Sequence, residues 1–203
     1  MADIVCRISY AMSLRGPQKE ALSYLDAIST HCDYQRDSTA AVEAAATEHC
    51  EKQRPIKVDA KFDFPSFCFA MATGIGKTRL MGASIYYLYK TKGYRHFFIL
   101  APGSTIYDKL RKESNPAHPK YIFKGLEAEM GRPKVYDGEN YDTYPVHYEQ
   151  TALTFEKSSE IELFIFNIGK IFNSKTDTQF NFHKFQDCLL YTSPSPRDYA
   201  ASR

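Results

Sequence analysis

The chain has 203 residues, 43% hydrophobic and 25% charged, with 26 lysines and arginines against 24 acidic residues and a formal charge of +2. That is apolar content enough for a domain with a sizeable core, and the near-neutral balance excludes a uniformly basic or acidic protein while leaving a local basic groove for nucleic acid open. No stretch approaches the roughly 18 apolar residues of a membrane helix, the start, with Asp3 and Arg7 around a short apolar run, lacks a signal-peptide plan, and Cys6, Cys32, Cys50 and Cys68 show no close pairing that would suggest a disulfide framework or a zinc knuckle; a cytoplasmic location is expected.

In chain order, Ser13 to Ser29 reads as an amphipathic helix starting at Pro17, with Ala21, Leu22, Leu25 and Ile28 spaced for one buried face. His31 beside Cys32 and His49 beside Cys50 resemble metal pairs. Neighbours on a helix point about 100° apart, so each pair is poorly placed to bite one ion. Thr39 to Lys52, rich in alanine and glutamate, also favours helix and reads as an insertion ended by Pro55. Phe67 to Met71 is continuously apolar and predicts a strand buried on both faces of a parallel sheet.

The glycine-rich loop that follows is the most informative feature. Gly74 and Gly76 let the backbone turn so that N–H groups point inward at a polyphosphate, with Ile75 between them and a helix N-terminus behind. Lys77 would reach the terminal phosphates and Thr78 would place its hydroxyl on Mg²⁺. The strict phosphate-loop pattern wants glycine at the position of Met71. The context compensates: a strand precedes, and Arg79 to Lys90 carries Leu80, Met81, Ala83, Ile85 and Leu88 at the spacing of a buried helix side, closed by Gly93. An ordinary strand-to-helix turn leaves Lys77 beside Thr78 unexplained.

Arg95 to Pro102 supplies another buried strand, followed by Ser104 or Thr105 capping a helix through Arg111. From Asn115 to Ser159, Tyr121, Phe123, Tyr136, Tyr141, Tyr144 and Tyr148 alternate with lysines. Such a stretch either stacks single-stranded bases or is a surface loop pinned by its tyrosines, and Glu127, Glu129, Asp137, Glu139, Asp142 and Glu149, which dilute the charge, favour the loop. Leu163 to Phe166 is the third strand. Alternation of strands with helices predicts an α/β fold with a parallel sheet flanked by helices, and ligands at the strands' carboxyl ends.

The end of the sequence reads differently. Back-translated, Cys188 to Asp198 permits codons resembling a transposon-end sequencing adapter, and residues 199–203 fit a sample index and its flanking bases. Residues 188–203 are therefore expected to be an adapter-derived tail and Met1 to Asp187 the native part of a longer gene.

The phosphate loop, the strand ending in Leu100, Ala101 and Pro102, and the segment Asn167 to Ile171 come in an order that resembles the first motor domain of superfamily 2 helicases. Phe69 to Gly82, Phe97 to Leu110 and Pro119 to Gly125 are similar to the Res subunit of type III restriction enzymes and related DEAD/DEAH-box proteins. Leu14, Arg15, Pro17 and Gln18 resemble the leucine, arginine and glutamine that precede that motor; Gly16 is an insertion in this pattern.

The resemblance implies an incomplete RecA-like P-loop domain over 61–187, ending before the Walker B strand, behind a helical lead-in over 1–60. It implies ATP and Mg²⁺ at Gly74, Ile75, Gly76, Lys77 and Thr78, with Lys77 and Thr78 catalytic and Thr78 on the metal. Gln18 and Arg15 would recognise adenine, and Ser104 and Thr105 would touch DNA phosphates. The implied function is the ATP-binding part of a DNA translocase or helicase motor of a restriction system, partnered by DNA and a methyltransferase subunit and inactive alone. Competing readings are a nucleotide-binding or interaction module without hydrolysis, and a P-loop phosphotransferase.

Overall fold

The computed structural model describes residues 2–31, 40, 41, 44, 47, 48, 68–141 and 161–167. Among them the elements run α1 (Ala2–Ala11), α2 (Gly16–His31), α3 (Lys77–Lys92), β1 (His96–Ala101), α4 (Ser104–Glu113), α5 (Glu127–Met130), β2 (Lys134–Asp137) and β3 (Glu162–Asn167). This is an α/β protein with a three-stranded parallel sheet. The chain divides into two compact units, one formed by Met1–Gly93 with Pro119–Gly131, the other by Tyr94–His118 with Arg132–Arg203.

The first unit is helical. Val5, Ile8 and Met12 of α1 and its exit, and Ala21, Leu22, Leu25 and Ile28 of α2, are buried, so both helices turn one apolar stripe inward. The α2 stripe is the one expected from its spacing. α1 ends in a turn whose bonds are those of a Schellman motif: Leu14 N–H donates to Ser9 O at 2.9 Å and Ser13 N–H to Tyr10 O at 3.0 Å. The left-handed position that normally takes glycine is held by Ser13, at φ 49°.

Helix α3 begins two residues earlier than its apolar spacing suggested, at Lys77, and stops at Gly93, which is left-handed at φ 71° and returns its N–H to Tyr89 O. Its buried residues include Leu80, Ala83 and Ile85, but also Tyr86 and Tyr87. The hydroxyls explain the last two. Tyr86 donates to Glu129 Oε2 and Tyr87 to Asp26 Oδ1 at 2.7 Å, so each ring is buried without stranding its polar end. Burial first, then the neighbouring carboxylate, pushes both phenols well above their ordinary pKa. Gly82 lets the 119–126 segment approach closely, since a Cβ there would lie 2.2 Å from Ile122 O.

In the second unit β3 lies between the other two strands, in parallel register with both: His96 faces Glu162 through to Ala101 facing Asn167, and Lys134 faces Glu162 through to Asp137 facing Ile165. Ile161, Leu163, Phe164, Ile165 and Phe166 are all buried, the continuous apolar run of a central parallel strand. Phe98 stacks on Phe166 and Tyr136 on Phe164, at centroid separations of 5.3 and 5.2 Å. α4 covers β1 and β3 with Tyr107 and Leu110. Arg111 holds it to the turn after β2, donating to Asp137 Oδ2 at 2.7 Å and to both Glu139 oxygens.

Three expectations change. The apolar run before the loop is not a strand over its described part: Cys68, Phe69 and Ala70 are exposed and irregular. Apolar sequence makes a strand only when a neighbour completes its ladder, and none of the described strands pairs with it. Neither Ser104 nor Thr105 caps α4; the cap is Gly103, extended at φ −162°, and both residues lie inside the first turn. Tyr121 and Phe123 sit in the core of the first unit, at 4% and 0% exposure, which removes them as stacking surfaces for bases. α1 lies within the helical lead-in expected over 1–60, but its own bounds, Ala2–Ala11, were not read from the sequence. Most of the 39–52 helix, Phe67, Tyr144, Tyr148 and the tail 188–203 lie outside the described residues, although positions 40, 41, 44, 47 and 48 are helical.

Candidate phosphate-binding loop

The loop of residues 73–76 leads directly into α3, and its two glycines carry the turn. Gly74 has φ +78° and Gly76 φ +96°, a region that costs an L-residue about 1–2 kcal/mol. Gly76 is the N-cap of α3, itself left-handed, and offers no side chain to its own helix. Its carbonyl accepts three donors: Arg79 N–H at 3.0 Å, Leu80 N–H at 3.1 Å and the Gln18 side-chain amide at 2.8 Å. The start of a 16-residue helix is thereby anchored through one oxygen, and the positive end of its dipole faces the loop.

Gln18 is 2% exposed. Its Oε1 accepts Arg15 N–H at 2.7 Å while its Nε2 serves Gly76 O. Glycine is required at 76 for a second reason, because a Cβ there would sit 2.6 Å from Gln18 Nε2. Arg15 reaches the same loop, its Nη1 lying 3.4 Å from Gly74 O. Thus the residues singled out near the start of the chain and those of the glycine loop come together, across 58 and 59 positions of sequence.

The charge here has one sign. Lys77 is exposed at the first position of α3, and the first turn of that helix holds no acidic residue. Arg79 follows two residues later, its Nε donating to Met12 O at 2.6 Å. Among the described residues no carboxylate pairs with Lys77, Arg79 or Arg15. Cations at a helix N-terminus oppose the dipole and are normally disfavoured. Three of them around uncapped amide groups make an arrangement that an anion would relieve, and the glycine turn leaves room for that anion to approach the backbone. The donor set suits a polyphosphate: backbone N–H groups and an ammonium, with Thr78 half-buried beside them.

Ser104 and Thr105 are exposed in the first turn of α4, immediately beyond the carboxyl end of β1. That is where ligands of parallel sheets bind. Among the described residues no His, Cys, Asp and Glu cluster could hold a metal ion by itself, and no helix is long and apolar enough to cross a membrane. The residue that sequence reasoning missed is Arg79. The signal was present, since Val5, Ile8 and Met12 recur at helical spacing and announce α1, whose exit presents the carbonyl that Arg79 uses.

The three-stranded parallel sheet flanked by helices makes this an α/β protein, consistent with a partial RecA-like domain. Residues 11–191 match the family described as type III restriction enzyme, res subunit, and the chain belongs to that family. A curated relative, the probable type III restriction-modification enzyme HindVIP Res subunit of Haemophilus influenzae, is 34% identical over 88 residues, covering 43% of this chain and 16% of the relative. The match therefore spans about a sixth of that protein's length. No solved structure matches the chain.

Proposed function

We propose that this chain binds ATP with magnesium at residues 74–78 and forms part of the first motor lobe of an ATP-driven DNA translocase or helicase in a type III restriction system. The observation that carries the reading is the Gly76 turn. It is left-handed, uncapped by any side chain, tied down by Gln18 and followed at once by an exposed Lys77. Family membership over most of the chain gives that turn its context.

In this reading the Gly74 and Gly76 peptides cradle the phosphates, and Lys77 supplies the cation that faces the terminal group. Thr78 supplies a hydroxyl toward the metal, which when bound neutralises charge developing as the terminal phosphate is transferred. Gln18 and Arg15 lie on the adenine side of the cradle. Ser104 and Thr105 contact phosphates of a DNA strand, and a modification subunit is the protein partner. The exposed, irregular lead-in at Cys68, Phe69 and Ala70 supports a further element: the chain by itself holds nucleotide without turning it over.

Binding is accordingly the measurement to make. A fluorescent ATP analogue titrated into the 203-residue chain should bind in a magnesium-dependent manner, and Lys77→Ala should weaken it by on the order of 10- to 100-fold, the value of one charge-assisted contact of about 1.5–3 kcal/mol. Affinity of Lys77→Ala within threefold of the parent would overturn the assignment.

A further inference from the structure

Arg79 is in an unfavourable place for a cation. It occupies the first turn of α3, where the helix dipole is positive, and it lies two residues from Lys77. What holds it there is at the other end of its side chain. Its Nε donates at 2.6 Å to the carbonyl of Met12, the residue that closes α1, and Met12 itself is fully buried. That carbonyl belongs to the negative end of α1 and is one of the terminal acceptors that a helix leaves without an internal partner. The Schellman turn made by Ser13 and Leu14 satisfies Ser9 and Tyr10, and Met12 O takes the guanidinium instead.

The same turn holds the loop at two more points. Arg15 and Gln18 follow within a few residues, donating to Gly74 O and Gly76 O. Ala11 O is packed so closely against the 119–131 segment that a Cβ on Gly125 would lie 2.0 Å from it. The exit of α1 is therefore a fixed point, gripped from one side by Gly125 and joined on the other to both glycines of the loop and to the helix behind it. Arg79 is the tie to that helix.

We infer that Arg79 is a positioning residue of the phosphate loop: through Met12 O it fixes the pitch of the first turn of α3, and with it the direction of the amide groups that a phosphate would use. This rests on the reading of residues 74–78 as a phosphate cradle. The residue need not touch phosphate, and its effect passes through geometry.

Two measurements on the full chain separate the possibilities, using Arg79→Ala, Arg79→Met, Arg79→Lys and, as a control, Tyr87→Phe. The control removes a bond between α3 and α2 that is remote from the loop. The first measurement is amide hydrogen exchange without ligand. Arg79→Ala should speed exchange at residues 74–78 by tenfold or more while leaving the C-terminal half of α3, from Ile85 to Lys92, within about twofold. Tyr87→Phe should not single out the loop. Uniform acceleration along α3, or none at 74–78, would overturn the inference. The second is binding of the magnesium complex of a fluorescent ATP analogue. Arg79→Ala should bind about tenfold more weakly and Arg79→Lys recover most of the loss, with Tyr87→Phe unchanged; Arg79→Ala binding as the parent does would overturn the inference. If Arg79→Ala fails to fold, Arg79→Met, which keeps the apolar stem and removes the donor, takes its place with the same expectations. Parent binding that Lys77→Ala does not disturb would sink the cradle reading alone, because loop-specific exchange in Arg79→Ala would still uphold the positioning role.

Discussion

Replacing Gly76 by alanine tests the loop most directly, because two separable penalties act at that position. The first is conformational: at φ +96° an L-residue pays about 1–2 kcal/mol. The second is steric and falls on Gln18, whose Nε2 would lie 2.6 Å from the new Cβ. Gln18 is 2% exposed and gives its donor and acceptor to Gly76 O and Arg15 N–H, so once displaced it finds little water and forfeits about 1–3 kcal/mol. Together these amount to about 2–5 kcal/mol against the loop geometry, or a loss of nucleotide affinity on the order of 30-fold at the low end. Gly74→Ala is the internal comparison. Gly74 has a similar φ of +78°, but a Cβ there meets nothing within 4 Å; it carries the conformational penalty alone and should lose only about tenfold. Titration of the magnesium complex of a fluorescent ATP analogue, with urea unfolding run in parallel, measures both. Equal losses in the two variants would refute the role given to Gln18, and parent-like affinity in both would refute the loop itself.

Gly82→Ala ought to stabilise an ordinary helix by about 1 kcal/mol, yet here the new methyl meets a backbone carbonyl, Ile122 O, at 2.2 Å, and overpacking of about 1–3 kcal/mol should prevail; a higher melting temperature would contradict the packing described. Ser13→Gly should raise stability by about 0.5 kcal/mol, since relief of the left-handed strain at φ 49° exceeds the entropy gained by the unfolded chain; a lower urea midpoint would count against it. Tyr86 and Tyr87 titrate above their unfolded value of about 10, so their contribution is fully present below that pH and is lost above it as the unfolded chain releases protons that the folded one keeps. Urea midpoints should therefore fall on the alkaline side of pH 10, and the double variant Tyr86→Phe with Tyr87→Phe should flatten that fall; an unchanged slope would show that the two phenols do not control it.

The parts legible in the sequence were those written in local pattern. β1 and β3 are short apolar runs bounded by polar residues, α2 carries a clean 3.6-residue stripe, and Gly93 marks the end of α3 as glycine commonly does. What pattern cannot encode is the partner. Phe67 to Met71 has the composition of a buried strand, but a ladder depends on another segment, and Cys68 to Ala70 are exposed. Tyr121 and Phe123 were readable as stacking surfaces because aromatic residues serve both uses, and the burial of Tyr86 and Tyr87 depends on Glu129 and Asp26, distant in sequence, which satisfy the two hydroxyls inside. The glycine loop was readable from spacing, whereas the resemblance gave Gln18 a role toward adenine and not a bond to the loop. That Gln18 and Arg79 fasten the loop to the exit of α1 required coordinates, since both bonds run to backbone carbonyls that no side-chain pattern reveals.

The order β1-β3-β2 also has a consequence for how the second unit is made on the ribosome. Among the described residues neither β1 nor β2 pairs with the other; each hydrogen-bonds to β3, the last of the three to be synthesised. Translation adds roughly 5–20 residues per second, so the stretch from Asp137 to Glu162 keeps two finished strand segments waiting on the order of seconds, with Phe97, Phe98, Ile99 and Leu100 lacking their ladder. Closing long loops to form parallel pairs is slow in any case. A nascent chain halted before Glu162 should thus be a client of holding chaperones, whereas one that has released Asn167 from the exit tunnel can complete both ladders in a single docking event.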